Sequence, residues 1–573
     1  MTRTSRTTVR YSGTTSGSGP LTLGQDNMAR CIATDDPEQI NKQAVWPVPA
    51  GTGLPEALAA LRTLAERHES LRTVLLPDPQ HPDGLPVRQE VRAEGEFEVV
   101  LVEAADPGGP DPDEAELDQL ADRLARADNA VAFDLGQDFP LRPTLVLQHG
   151  RPVRLAVVVC HTGADGASTA ILVQEWLSLA AGKELPPVTA RTPLQLAVSE
   201  NSGLGRRRAR TSLKHWERVL RSSPQAVFAE SRLTGPADTV STLILRSRKA
   251  AQDLEAASRR TGAGASTVLL AAFAALVAHR ADQRELVIAA LSANRHRPGL
   301  ADYVGTLAQD AFLAVDTDAG DLDALIGRTK AASLAGYWHS SFEAAKVWQM
   351  IEDIAHRRGS RYARHVVVND LSLTIPESAS EARPPALTDP EISWFPDARI
   401  PTRLMLNIIR VTGSLEIAVV SCPQVLDRAE NEQFTRGLLA VVAAAAEGPV
   451  PLADIGALTG VRPGVRVGEW QVLDGSWIDL DAVRALLVAT LGADTRPRAE
   501  AVDGRLTVHL DSAELTPATA HLAMVAALPG HDTAMAPHHY VVHHPTDPAV
   551  PVRQGSGRDA AVTDWQALLG QDH

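Results

Sequence analysis

Cysteine is scarce in this chain: there are three in 573 residues, Cys31, Cys160 and Cys422, with no paired spacing. That excludes a disulfide framework and a cysteine-based zinc site, and it points to a reducing, cytoplasmic location. Basic charge is also short, with 55 Lys and Arg against 70 Asp and Glu and a net charge of −15. No nucleic-acid partner is expected, because neutralising phosphates takes Lys and Arg clustered over a face. Long apolar runs are missing too. The longest, around Val268 to Val277, is too short to span a bilayer. The polar start Met1–Thr2–Arg3–Thr4–Ser5–Arg6 lacks the apolar region of a signal peptide. No membrane partner is therefore expected either. What is present, 44% hydrophobic and 22% charged residues over 573 positions, suits a globular chain of two or three domains.

The stretch Val157–Val158–Val159–Cys160–His161–Thr162–Gly163–Ala164–Asp165–Gly166 organises the rest. A β-branched run from Leu155 to Val159 reads as a buried strand, and an Ala/Leu-rich helix starts at Gly166 and reaches Leu179. His161 sits between them, beside helical N–H groups that favour negative charge. Its imidazole exchanges a proton near neutral pH. In the bland reading, it only satisfies a loop carbonyl.

Before this stretch lie a polar arm, a short helix after Leu21–Thr22–Leu23–Gly24–Gln25, and an amphipathic helix from Pro55 to Glu66 with Leu58, Leu61 and Leu64 on one face. Strands are expected at Val74–Leu76, Phe133–Leu135 and Leu141–Leu145, a hairpin turn at Gln80–Gly84 and a surface loop from Ala105 to Glu114. Thr192 to Leu220 is helical and basic, including Arg206, Arg207, Arg208 and Arg210. It reads as a solvated linker helix or, functionally, as a docking patch for an acidic protein. Further strands are expected at Thr242–Leu245, Glu285–Leu291, Val366–Asn369 and Leu415–Val420, with a last helix ending near Glu447. Gly448–Pro449–Val450–Pro451 marks a boundary. The expected domains are an arm (1–17), two α/β lobes (18–195 and 196–448) and a small α+β domain (449–573).

In this order the pieces resemble the condensation domains of nonribosomal peptide synthetases, over residues 18 to 447. Leu21–Gln25 looks like that family's first motif, and Arg67–His68–Glu69–Ser70–Leu71–Arg72–Thr73 is close to letter-perfect for its second. Cys160 to Gly166 is similar to its His-His-x-x-x-Asp-Gly, with Cys160 in place of the first His. Asn294–Arg295 and Val304–Gly305–Thr306 look like the segment around the fifth motif, which lacks its usual Phe-Val-Asn here. Val368–Asn369 resembles a later strand-end asparagine.

The resemblance implies two chloramphenicol-acetyltransferase-like lobes in a V, a pseudo-dimer with a tunnel through the cleft. It implies acyl transfer from a carrier-bound thioester to an amine or hydroxyl. Acyl or peptidyl carrier proteins and a small-molecule or carrier-bound nucleophile would be the partners, with substrates on phosphopantetheine arms and no permanently bound cofactor or metal. By the same resemblance His161 is catalytic, Asp165 pairs with Arg295, Gly166 allows close backbone approach, and Asn369 neighbours the acceptor. Cys160 reads as a buried thiol rather than a nucleophile, since adjacent strand residues face opposite ways. A catalytically silent recruitment module and a coenzyme A-dependent acyltransferase are the alternatives. The absent plant-type Asp-Phe-Gly-Trp-Gly motif weighs against the second of these, and His161 weighs against heterocyclisation.

Residues 465–563 resemble the C-terminal subdomain of adenylation enzymes, through Ile478–Val483, Pro537–Val542 and Gly557–Arg558. Arg558 replaces the adenylation lysine, so this segment is expected to be a non-catalytic remnant, a platform for a carrier protein. His538, His539, His543 and His544 read as a solvated loop in preference to a metal site.

Overall fold

The computed structural model describes residues 3–78, 84–104, 111–233, 239–372, 389–547 and 549–559. Residues 80–83 of the expected hairpin turn and 105–110 of the expected surface loop lie outside them.

The first lobe is a five-stranded mixed sheet of β1 (Thr4–Ser12), β2 (Lys42–Pro47), β3 (Glu94–Glu103), β4 (Leu141–Gln148) and β5 (Arg151–Val159), in the order β1-β3-β4-β5-β2. The expected polar arm is therefore an edge strand. Val9 and Tyr11 alternate inward and are buried, which is enough to fix β1 along β3. Phe133–Leu135, expected as a strand, is a loop instead. Its Phe133 packs with Val158 and Cys160, and the Arg142 guanidinium lies 3.7 Å above its ring.

Helices α1 (Leu23–Thr34), α2 (Leu54–Arg67), α3 (Glu114–Asn129) and α4 (Gly166–Ala180) complete this lobe. On one sheet face Leu155, Val157 and Val159 pack with Leu61 and Leu64 of α2 and with Leu172 and Trp176 of α4. Burying side chains of this size contributes roughly 1.5–3 kcal/mol each. On the other face Val146 and Ala156 meet Leu117, Ala121 and Ala125 of α3.

The second lobe is a seven-stranded sheet of β6 (Val240–Ser247), β7 (Glu285–Ser292), β8 (Gln309–Asp316), β9 (Val366–Asp370), β10 (Glu391–Ala398), β11 (Leu404–Arg410) and β12 (Leu415–Ser421), in the order β8-β7-β9-β11-β12-β6-β10. The basic segment forms α5 (Gly203–Ser222). Its arginines at 206, 207 and 208 are exposed while Leu213, Trp216 and Val219 bury against Val287 and Phe312. It is thus part of this lobe rather than a free linker. The run Val268 to Val277 lies in α6 (Ala265–Ala281), apolar all round and buried in the core as such a helix must be. Among the described residues no single helix is long and apolar enough to cross a membrane.

The two lobes share a pairing pattern. β3 runs parallel to β4, which pairs antiparallel with β5, itself antiparallel to β2. In the second lobe β9, β11, β12 and β6 repeat those relations. The repetition extends to one turn. After β5, Gly163 and Ala164 donate to the Cys160 carbonyl, and Asp165 caps α4. After β12, Val425 and Leu426 donate to the Cys422 carbonyl, and Asp427 caps α7 (Arg428–Glu447). Where the first copy carries His161, the second carries Pro423.

Gly448–Pro451 ends α7 but not the packing. Val450, Ile455 and Val461 join the core of the second lobe, so the small domain begins later than residue 449. That domain has its own core, built on β13 (Arg498–Val502), β14 (Arg505–Asp511), β15 (His539–His543) and β16 (Arg553–Gly555), with α8 (Leu480–Leu491) and α9 (Pro517–Ala526). The histidine-rich segment is therefore mostly a strand, not a loop: Tyr540 and Val542 are buried and β15 runs parallel to β14. The small domain sits firmly on the second lobe. Asp532 accepts from His365 at 2.8 Å and Arg403 at 3.3 Å, and Ala536 N donates to the Gly359 carbonyl at 2.6 Å.

Candidate functional site

His161 follows the C-terminal end of β5 and precedes α4 by one turn of loop. Of its two ring nitrogens, Nδ1 is buried against the loop backbone without a well-formed hydrogen bond. The residue as a whole is partly exposed, and Nε2 is not among the fully buried, unpartnered side-chain atoms. Burial, reinforced by the positive charge of Lys42, pushes the imidazole down to about 4, against the opposing pull of Asp165. The ring is neutral at physiological pH, the form that accepts a proton.

Asp165 is not hydrogen-bonded to this ring. It accepts from Ser168 N at 2.9 Å as the cap of α4, and from Leu307 N at 2.9 Å. Arg295 donates to both of its oxygens, at 2.7 and 2.9 Å. Burial alone would raise this carboxyl, but Arg295 and the two backbone donors hold it below its ordinary value. Arg295 and Leu307 flank a loop of the second lobe, so Asp165 ties the His161 loop across the seam between lobes.

The two ends of that second-lobe loop are tied together by Asn294, held at a positive φ of 53°. Its side chain donates to the Leu307 and Ser340 carbonyls at 2.9 and 3.1 Å. Ser168, which the sequence reading passed over, completes the seam. Its hydroxyl donates to the Gly305 carbonyl at 2.6 Å and accepts from Arg295 at 2.7 Å. Only the helical spacing from Asp165 to Ser168 hinted at it.

Other expected residues fall in different places. The Cys160 thiol points away from His161 into the Phe133 cluster, 3.1 Å from the Thr162 hydroxyl, and burial pushes its pKa up. It is not poised as a nucleophile. A Cβ added to Gly166 would meet nothing within 4 Å, so none of the described residues makes the close approach expected there. The close approach is at Gly24 on α1 instead, where a Cβ would lie 2.1 Å from the Thr306 carbonyl oxygen. Asn369 is next to last in β9 and donates to Asn407 at 3.2 Å, its register partner on β11. The structure gives it no bond to the His161 loop.

The segment Arg67–Thr73 is a brace. Arg67 and His68 both bind Glu175 of α4, at 2.9 and 2.7 Å, while Arg72 holds the Thr15 and Arg92 carbonyls at 2.6 and 2.8 Å. A cavity of about 1100 Å³ between the second lobe and the small domain, lined by Arg221, Asp282, Arg358, Asp474 and Trp477, includes none of these residues.

A family model described as Condensation domain matches residues 35–454. Phosphinothricin tripeptide synthetase PhsC of Streptomyces viridochromogenes is 28% identical over 297 residues, 48% of this chain and 26% of that protein. Chondramide synthase cmdD of Chondromyces crocatus is 25% identical over 415 residues, 70% of this chain and 10% of that protein. The chain thus spans only a minor part of the curated relatives it matches. Among solved structures, SgcC5 from Streptomyces globisporus superposes with a TM-score of 0.57 at 18% identity, covering 76% of this chain and 100% of that one. The first condensation domain of the calcium-dependent antibiotic synthetase, with a substrate analogue, gives 0.55 at 17% identity, covering 78% and 98%. These likenesses show the fold, the two-lobed α/β architecture read from the sequence. With most of its length matched by that model, the chain belongs to the condensation domain family.

Proposed function

We propose that this chain transfers an acyl group from a carrier-bound thioester to an amine or hydroxyl, forming an amide or ester in nonribosomal peptide-type biosynthesis. The observation that carries this reading is the neutral His161, partly exposed and fixed at the seam where two lobes are latched together.

A thioester is already activated, so alignment and a proton acceptor supply what the reaction needs. The acceptor nitrogen or oxygen attacks the thioester carbon while Nε2 takes its proton. The tetrahedral intermediate then collapses, breaking the C–S bond, and the same proton neutralises the departing thiolate of the phosphopantetheine arm. The N-terminus of α4, open above Gly166, favours the negative oxygen of that intermediate. Carrier proteins and a cytoplasmic setting belong to this proposal.

A second reading is a recruitment module. It is favoured by the X-domain from teicoplanin biosynthesis, solved in complex with OxyB, which shares the fold with a TM-score of 0.56 at 21% identity. Cys160 in place of the motif's first histidine points the same way. Incubating the protein with acyl-loaded carrier proteins and a pool of amines and alcohols separates the two. Intact-mass loss of the acyl group together with a new amide or ester supports transfer. Unchanged carriers throughout the panel support recruitment.

A further inference from the structure

Lys42 opens β2, and its register partner is Val159, the last residue of β5. Residues opposite each other on paired strands share a face. His161 lies two residues past Val159, in the turn that follows β5, so Lys42 stands beside the strand end that leads into that turn, and its charge acts on the imidazole. The Cys31 thiol on α1 feels both Lys42 and the second-lobe pair Asp310–Arg364.

This ammonium has no counter-ion. Among the described residues the Lys42 side chain makes no hydrogen bond or ion pair, and no carboxylate acts on it: burial pushes its pKa down and only Cys31 opposes that. The neighbouring acids are committed, Asp165 to Arg295 at 2.7 Å and Asp310 to Arg364 at 2.8 Å. Nor is the ammonium sealed in, because Nζ is not among the fully buried, unpartnered side-chain atoms. An unpaired, largely desolvated cation costs stability, and a bound anion removes that cost.

We propose that Lys42 binds a carboxylate of the acceptor, so that the acceptor is a free amino or hydroxy acid. This rests on the transfer reading above. An acceptor tethered to a carrier through its carboxyl has lost that charge as a thioester, and Lys42 would then have no partner. A free acid supplies the anion about one side-chain length from the group His161 deprotonates.

Two readouts on the full chain test this. In the first, labelling of Lys42 by trinitrobenzenesulfonate is followed by peptide mass, with a pool of N-acetyl amino acids or a pool of their carboxamides present. Protection by the acids and not by the amides, in both wild type and His161→Ala, is the expected result. Equal protection by both pools, or none by either, overturns the proposal.

In the second, transfer to free amino acids is compared with transfer to their amides. Lys42→Met raises KM for the acids by about 10–100-fold, the worth of one charge-assisted hydrogen bond, with kcat little changed and the amides unaffected. Lys42→Arg keeps the preference. An equal loss on acids and amides sinks the assignment. If the transfer reading itself is wrong, the wild type forms no product, and the labelling result still decides whether Lys42 holds a carboxylate.

Discussion

Arg295 of the second lobe and Asp165 of the first are joined by two parallel hydrogen bonds of 2.9 and 2.7 Å. Asp165 caps α4 and lies four residues past His161, so one buried pair sets both the seam and the His161 loop. Deleting either partner strands a buried charge, a loss of about 3–5 kcal/mol. Asp165→Ala and Arg295→Ala are each expected to lower the free energy of unfolding by that amount. The double variant costs less than the sum of the two, which a double-mutant cycle by urea unfolding measures.

The pH dependence of transfer follows from His161. Its folded-state pKa lies below the ordinary histidine value, through burial and the charge of Lys42. The neutral ring persists as pH falls past about 6.5, the ordinary value. A pH–rate profile measured with a saturating thioester should therefore stay flat through that region and fall only at more acid pH. Lys42→Met removes the neighbouring charge and moves the acid limb upward.

Two carboxylates make the fold acid-sensitive. Burial would raise Glu175, but His68 and Arg67 hold it at about 2. Asp532 is likewise held at about 2 by His365 and Arg403, against burial. A depressed folded-state value means that the stabilisation is complete above the ordinary carboxylate range and is lost as pH falls toward 2. Glu175→Gln and Asp532→Asn lower stability at neutral pH. They also flatten its decline in acid, read from urea midpoints over a pH series.

Cys160 is buried with its thiol pushed up. Iodoacetamide should leave it unmodified in the native protein and label it after unfolding, followed by peptide mass. Cys160→Ala is expected to keep most of the transfer rate and to lose about 1 kcal/mol of stability.

What the sequence made legible was local. The β5–turn–α4 unit could be read because a β-branched run, a glycine turn and an Asp cap follow one another within a few residues. The motif Arg67–Thr73 was recognisable too, but not its job, because Glu175 lies on another helix more than 100 residues on. Lys42 went unnoticed for a similar reason: only the pairing of β2 with β5 brings it beside Val159, two residues before His161. The kinship of the two lobes shows in the order of their elements but in no visible sequence repeat. The repeated turn keeps only a cysteine and an aspartate five positions apart, Cys160–Asp165 and Cys422–Asp427. The edge strand β1 and the strand β15 did carry a signal, since Val9–Tyr11 and Tyr540–Val542 alternate with polar neighbours. Polar and histidine-rich composition masked that period-two pattern.

The most direct test of the central claim is a single-turnover measurement. His161→Ala, shown to unfold at the wild-type urea midpoint, is mixed with an acyl-loaded carrier and its acceptor, and product is followed by mass. The account predicts product from the wild type and a rate at least about 100-fold lower from the variant. Equal rates from the two proteins would contradict it.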